Sequence, residues 1–358
     1  MEKEITYSNA GVDRDLRAKS KFHLKNFEKT HKFSKKIIKL PYNTIYQVGN
    51  DIYQDHVIEG IGSKVLIAQL ANKFDTIGID AVAMTVNDVI RSGAKPISLT
   101  DNIDMQKSEP KIVEELIKGI VEGVEQAEVP VTGGEIADVR ELISGISENP
   151  FHIVCSCIGE LDEKEIIWGN KIEDGDIVIG MSSSGLHSNG ISLARRILFK
   201  RWGGKYDPFD IPDGFDREIV YEALEPTKIY VKSFLKAARE FSIKAALHVT
   251  GDAYLKFEKL MKFNPKIGFE FHNFKPQKIF SLIQETAMEF NHRITDQEML
   301  KTFNFGWGFS IVVARNYKDD IMDLLGKNGI KSEIIGRVVD SKSIVAIYRG
   351  NKLILHQS

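Results

Sequence analysis

Four short segments put glycine, acidic or hydroxyl residues where chemistry could be done. The richest is GMSSSGLHSNGISL (180–193), which follows an apolar run and sets serines, a histidine and an asparagine among glycines. Hydroxyls beside an imidazole suit either a nucleophile with its base or a cradle for an anion. The nucleophile-elbow spacing G-x-S-x-G fails, since Met181 stands two before Ser183 and Ser184 two after Ser182. Strand, loop and helix in that order place residues 184–189 at a helix N-terminus, with Ser188 or Asn189 able to cap. An anion cradle is the better reading; a capped loop with a satisfied histidine is the plain alternative.

The segment VIEGIGSKV (57–65) follows a β-branched strand with Gly60, Gly62, Ser63 and Lys64. Backbone N–H groups and a lysine could hold phosphate there, although the P-loop pattern is not met and an ordinary turn competes. Asn87 and Asp88 lie in a run where Ile79, Val82, Val86 and Ile90 repeat at helical spacing. Asp88 falls opposite that stripe, yet Ala81, Met84 and Thr85 make the helix apolar on nearly all sides. A buried carboxylate there needs a partner or a metal. In VTGGEIAD (131–138), Glu135 is expected at the C-terminal edge of a strand, where α/β sites collect; a plain turn fits equally well.

These segments are positioned by alternating strand and helix signals, which argue for an α/β chain. A helix is expected over 78–92, a strand over KPISLTDNIDM and an amphipathic helix over 111–126. FHIVCSCIGEL and DIVIGM read as further strands, ISLARRILFKRW as a helix, and 203–216 as a long loop. The polar segment GNKIEDGD (169–176) is the expected boundary between two halves.

The chain has 358 residues, 42% hydrophobic and 27% charged, with 48 Lys+Arg against 50 Asp+Glu. That balance gives no electrostatic case for nucleic acid or an anionic membrane. Basic residues in HKFSKKIIKL (31–40) alternate with apolar ones, as on a surface helix or strand. The N-terminal segment is charged from its second residue and lacks the apolar core of a signal peptide. Cys155 and Cys157 share one face of a strand, a spacing poor for a disulfide, so reduced thiols in a cytoplasmic protein are expected.

The order and spacing of YSNAGVD, EGIGSK, DTIGIDAVAMTVNDVIRSGAKP, GGE, SSSGLHSNGISLARRIL, EPTKIYVKS, HVTG and EMLKTFNFGWG carry a resemblance over essentially the whole chain. It resembles the aminoimidazole ribonucleotide synthetase (phosphoribosylformylglycinamidine cyclo-ligase) family, the purine-biosynthesis branch of a superfamily of ATP-dependent enzymes. The resemblance implies an α/β (α+β) protein of two domains. Residues 1–168 would bind ATP and form a β-barrel with a second copy through a mixed sheet. Residues 169–358 would form an α/β layered domain closing over the substrate. Formylglycinamidine ribonucleotide would be phosphorylated by ATP on its amide oxygen and then cyclised. Magnesium and a homodimer are implied, and K+ is a further candidate.

On this resemblance Glu59, Gly60, Gly62, Ser63, Lys64, Asn87, Gly133 and Gly134 bind ATP, and Glu59, Asp88 and Glu135 hold Mg2+. Ser183, Ser184, Gly185, His187, Ser188, Asn189, Thr250 and Gly251 bind the substrate, chiefly its ribose phosphate. Lys64, Asp88 and His187 are the expected catalytic residues, His187 either gripping substrate or moving a proton. The chain departs from the family at Glu59, where aspartate is usual, and in residues 40–55, which replace a glycine-rich loop. It departs again at 136–140 and at Asp252-Ala253, which stand where glycines are usual. The alternatives are another reaction of the superfamily, such as thiamine-phosphate kinase, and a non-catalytic nucleotide-binding paralogue.

Overall fold

Phe151–Asp162 alternates buried and half-buried residues along its whole length, the period-two pattern of a sheet covered on one face. In the computed structural model, which describes residues 3–357, it is an inner strand of a six-stranded mixed sheet. The strand order is Ile37–Lys39, Thr44–Gln47, Ile52–Gly60, Phe151–Asp162, Lys95–Met105 and Val131–Asp138. Neighbours are antiparallel except the last pair, which is parallel. Cys155 and Cys157 are buried free thiols on the covered face.

The helix Asp75–Val89 covers that face, and every residue from Ile77 onward is buried. Pro110–Ala127 packs on its far side through Ile112, Leu116 and Ile120. The two backbones touch where glycines face each other. A methyl group on Gly119 would collide with the Asp75 carbonyl, and one on Gly78 with the Leu116 carbonyl. Only glycine permits so close a crossing.

The second half is built on a seven-stranded sheet. Its order is Asn351–Gln357, Ser343–Tyr348, Gly268–Phe271, Ser332–Val339, Ile177–Ser182, Trp307–Val313 and Ile243–His248. Trp307–Val313 is buried at every position, as expected of an inner strand enclosed on both faces. Helices Ile191–Leu198 and Val231–Glu240 follow the loops that concern function.

The expected helices over 78–92 and 111–126 appear as Asp75–Val89 with a 3-10 turn at Ile90–Ser92, and as Pro110–Ala127. Gly133 and Gly134 form no turn. They lie inside the strand Val131–Asp138, paired with Thr100 and Asp101, because parallel pairing supplies backbone partners that override glycine's weak strand preference. Neither large sheet closes into a barrel among the described residues. The N-terminal arm also returns to the second half. Lys3–Glu4 pairs with His292–Arg293, the Tyr7 N–H donates to Glu298 (2.8 Å), and Arg14 bonds Glu298 and Asp252 (3.2 Å each).

Candidate active site

Two loops that each run from a strand into a helix face one another. Gly60-Ile61-Gly62-Ser63 leads from Ile52–Gly60 into the helix Lys64–Ala71, and Ser188-Asn189-Gly190 leads into Ile191–Leu198. Ser63 Oγ lies 3.0 Å from Ser192 Oγ, so the two helix N-termini meet. Both open on a cleft of about 480 Å3. Each N-terminus presents unpaired N–H groups and about half a positive charge. Gly62, at φ 64°, has no atom near its Cβ position, which leaves its backbone open to the cleft.

Arg17, Lys21, Arg91, Lys256 and Lys259 line the same cleft, against the carboxylates of Glu59, Asp88 and Asp252. The excess of cations, added to two helix N-termini, makes the cleft a site for polyanions. A roomier groove of about 560 Å3 lies elsewhere, but there Lys95, Lys164 and Arg239 are balanced by Glu160, Asp162 and Glu165. Charge, not size, singles out the first.

Asp88 sits at the centre. Arg91, one helical turn on, reaches its Oδ2 (2.9 Å), and His248 Nδ1 bonds its Oδ1 (2.9 Å). Burial raises its pKa, but Arg91, His248 and Lys256 outweigh that and hold the carboxyl well below the usual range. His248 is itself wholly buried, and burial lowers its pKa despite the Asp88 charge. The neutral ring therefore donates from Nδ1 to Asp88, leaving Nε2 without a partner. Burial, with the adjacent Asp88 charge, pushes Glu59 up to about 7. Burial lowers Lys256 to about 8; its ammonium donates to the His248 carbonyl (3.2 Å) and to Thr250 Oγ1.

Of the residues singled out in the sequence, Glu59, Gly60, Gly62, Ser63, Asp88, Ser188, Asn189, Thr250 and Gly251 line this cleft. The others do not. Lys64, expected on phosphate, is completely buried, its Nζ 2.7 Å from Asp80 Oδ2 and 2.8 Å from the Glu225 carbonyl. His187 is also wholly buried. It takes the Ser184 N–H on Nε2 (3.1 Å), and burial, followed by the nearby His248, Lys64 and Lys228, lowers its pKa far below the ordinary value. As a buried ring it braces the loop, where it stands at φ 59°. Asn87 bonds the Lys228 carbonyl and the Tyr230 N–H (2.8 and 3.0 Å). Ser183 pairs with Gln277, Ser184 Oγ donates to the Pro226 carbonyl, and the Gly185 carbonyl accepts from Asn304. Gly133, Gly134 and Glu135 lie on the exposed edge strand.

Glu135 thus does not join Glu59 and Asp88. Among the described residues no three His, Cys, Asp or Glu side chains are arranged to hold a metal ion. Glu59 and Asp88 alone remain adjacent. Their repulsion is of the kind a hard divalent cation relieves, and Glu59, whose carboxylate lines the cleft beside Asp88, fits as its ligand. Arg17, Lys21, Lys256 and Lys259 lie outside the motifs, and Arg91 and His248 lie inside two of them without a role assigned there. The spacing of Arg91 after Asp88, and of Lys21 after Arg17, was a usable signal; the approach of Lys256 and Lys259 was not.

Comparison with known proteins agrees with this architecture. Residues 44–161 match the AIR synthase related protein N-terminal domain, and residues 173–349 its C-terminal domain. The chain is 34% identical to the phosphoribosylformylglycinamidine cyclo-ligase of Methanocaldococcus jannaschii over 98% of this chain and 95% of that one. It is 37% identical to that of Bacillus cereus over 82% of each. Among solved structures, a chain of the HypE–HypF complex superposes with a TM-score of 0.60 at 19% identity, covering 88% of this chain and 93% of that one. PurL of Thermotoga maritima complexed with ATP gives 0.58 at 14% identity, covering 86% of this chain and 44% of that one. These two share the fold. The near full-length identity to curated relatives places the chain in the phosphoribosylformylglycinamidine cyclo-ligase family.

Proposed function

We propose that the cleft binds the phosphates of ATP and of formylglycinamidine ribonucleotide and carries out the family's cyclisation there. The observation that supports this reading most is the meeting of two helix N-termini with five cationic side chains around buried Asp88. Phosphoryl transfer asks a protein for alignment and positive charge more than for covalent help. The substrate's amide oxygen takes the γ-phosphoryl group of ATP, and ADP leaves. The substrate's ring-forming nitrogen then attacks the activated carbon, and phosphate departs with the amide oxygen as the imidazole closes and a proton is released.

In this scheme the Gly60–Ser63 and Ser188–Ser192 backbones hold phosphate oxygens while Lys256, Lys259, Arg17 and Lys21 neutralise charge. Arg91 and His248 fix the orientation of Asp88. Bound Mg2+ would add positive charge at the ATP phosphates, with Glu59 its ligand and Asp88 beside it. Exposed Ile58, Ile97, Val131 and Ile136 on the six-stranded sheet support a homodimer in which a second copy completes the barrel. The buried thiols suit a reducing, cytoplasmic setting.

The test is an assay with ATP, Mg2+ and formylglycinamidine ribonucleotide. Aminoimidazole ribonucleotide should form with one ADP per turnover. Its absence from folded protein, across varied potassium and temperature, would refute the proposal.

A further inference from the structure

Neither Lys64 nor Asp80 is among the residues lining the cleft, and both side chains are completely buried behind it. Asp80 also accepts the Thr227 N–H (2.7 Å) and the Ser188 hydroxyl (3.1 Å) on Oδ1, and Ser188 lies 3.2 Å from Thr227 Oγ1. Lys64 meanwhile donates to the Glu225 carbonyl (2.8 Å). The pair belongs to the first half of the chain, whereas residues 225–230 and Ser188 belong to the second. Two turns further along the same helix, Asn87 takes the Tyr230 N–H and donates to the Lys228 carbonyl. Ser184 closes the circuit by donating to the Pro226 carbonyl.

Backbone groups of residues 225–230 are thus held by Lys64, Asp80 and Asn87, and Ser188, which lines the cleft, is held by the Asp80 carboxylate. A buried ion pair is a poor source of net stability, because desolvation offsets most of its attraction. Its directional value is larger: one carboxylate fixes three donors from three chain segments at once.

We propose that Lys64 and Asp80 are positioning residues that lock residues 225–230 and the Ser188 loop in the register needed to grip the substrate. The inference rests on the cleft being the site of cyclisation, but its structural half is measurable without turnover. Lys64 acts on the substrate only through Asp80 and Ser188.

The test uses the full chain with K64M, D80N and K64M/D80N. Each single variant leaves one unpaired or unbalanced buried group and should melt several degrees lower. The double variant carries no charge at this pair, and the amide oxygen that D80N introduces still accepts from Thr227, so it should recover most of that loss. In the recovered protein, amides of 183–190 and 225–230 should exchange at least tenfold faster, and KM for the ribonucleotide should rise about tenfold. KM for ATP should stay within about threefold. A double variant with unchanged exchange and unchanged KM values would overturn the proposal, leaving the pair as charge compensation alone. K64M that loses ATP affinity while exchange stays unchanged would overturn it in favour of a phosphate contact. If the unaltered protein makes no imidazole, the functional reading fails, and the exchange measurement still decides whether the pair locks these segments.

Discussion

Replacing Lys256 by Met separates a residue kept for binding from one kept for folding. Lys256 sits half-buried on the cleft, near Asp88, Arg91 and Glu59, and burial holds its pKa down to about 8. The unfolded value is about 10.4. For a cation whose folded pKa is the lower, the cost of charging it in the fold is fully present below pH 8. It fades as pH rises toward 10.4. At 1.36 kcal/mol per unit the cost is about 3 kcal/mol, reduced to about 2 kcal/mol by partial exposure to cleft water. K256M removes that cost but forfeits the ammonium's hydrogen bonds to the His248 carbonyl and Thr250, worth about 1.5 kcal/mol each. The net stability change at pH 7 should be a loss of about 1 kcal/mol. A charge-assisted bond to a substrate phosphate is worth about 1.5–3 kcal/mol, which predicts a KM increase of roughly 10- to 150-fold for the substrate it holds. Steady-state kinetics and thermal melts from pH 6.5 to 9.5 test both halves. The unaltered enzyme's KM should climb above pH 8 as the ammonium loses its proton, whereas K256M should lack that rise. A melting temperature lowered by more than about 5 °C, or a KM that is unchanged and climbs above pH 8 as before, would refute the reasoning.

Three further substitutions probe other parts of the structure. Asp88→Asn keeps the size of the group but removes the charge that Arg91 and His248 face; kcat should fall at least about 100-fold while the protein remains folded by circular dichroism. Gly119→Ala drives a methyl group into the Asp75 carbonyl and should cost about 3 kcal/mol in urea unfolding, since two packed helices must separate. Ala253→Gly relieves a left-handed residue at φ 37° but removes a completely buried methyl group, so the two effects should offset and leave urea unfolding within about 1 kcal/mol of the unaltered protein.

The sequence alone determined much about this protein, because its signals are local. Periodicity located the Asp75–Val89 and Pro110–Ala127 helices to within three residues at each end, since the apolar stripe that makes a helix is written in consecutive residues. The motif order identified the family, and the phosphate-suited loops at Gly60–Ser63 and Ser188–Asn189 do line one cleft. Tertiary structure decided what each charged residue does there. Lys64 and His187 have the types and positions of ligand-binding groups, yet both are completely buried, Lys64 between Asp80 and the Glu225 carbonyl and His187 against its own loop at Ser184. Lys256 lies beyond the HVTG motif and reaches the cleft after the chain turns at Asp252, left-handed at φ 67° and paired with Arg14. A charge's role is set by what surrounds it in space, and for Lys64, Asp80, Asp88 and His248 the partners that matter lie as far as 161 residues away in the chain.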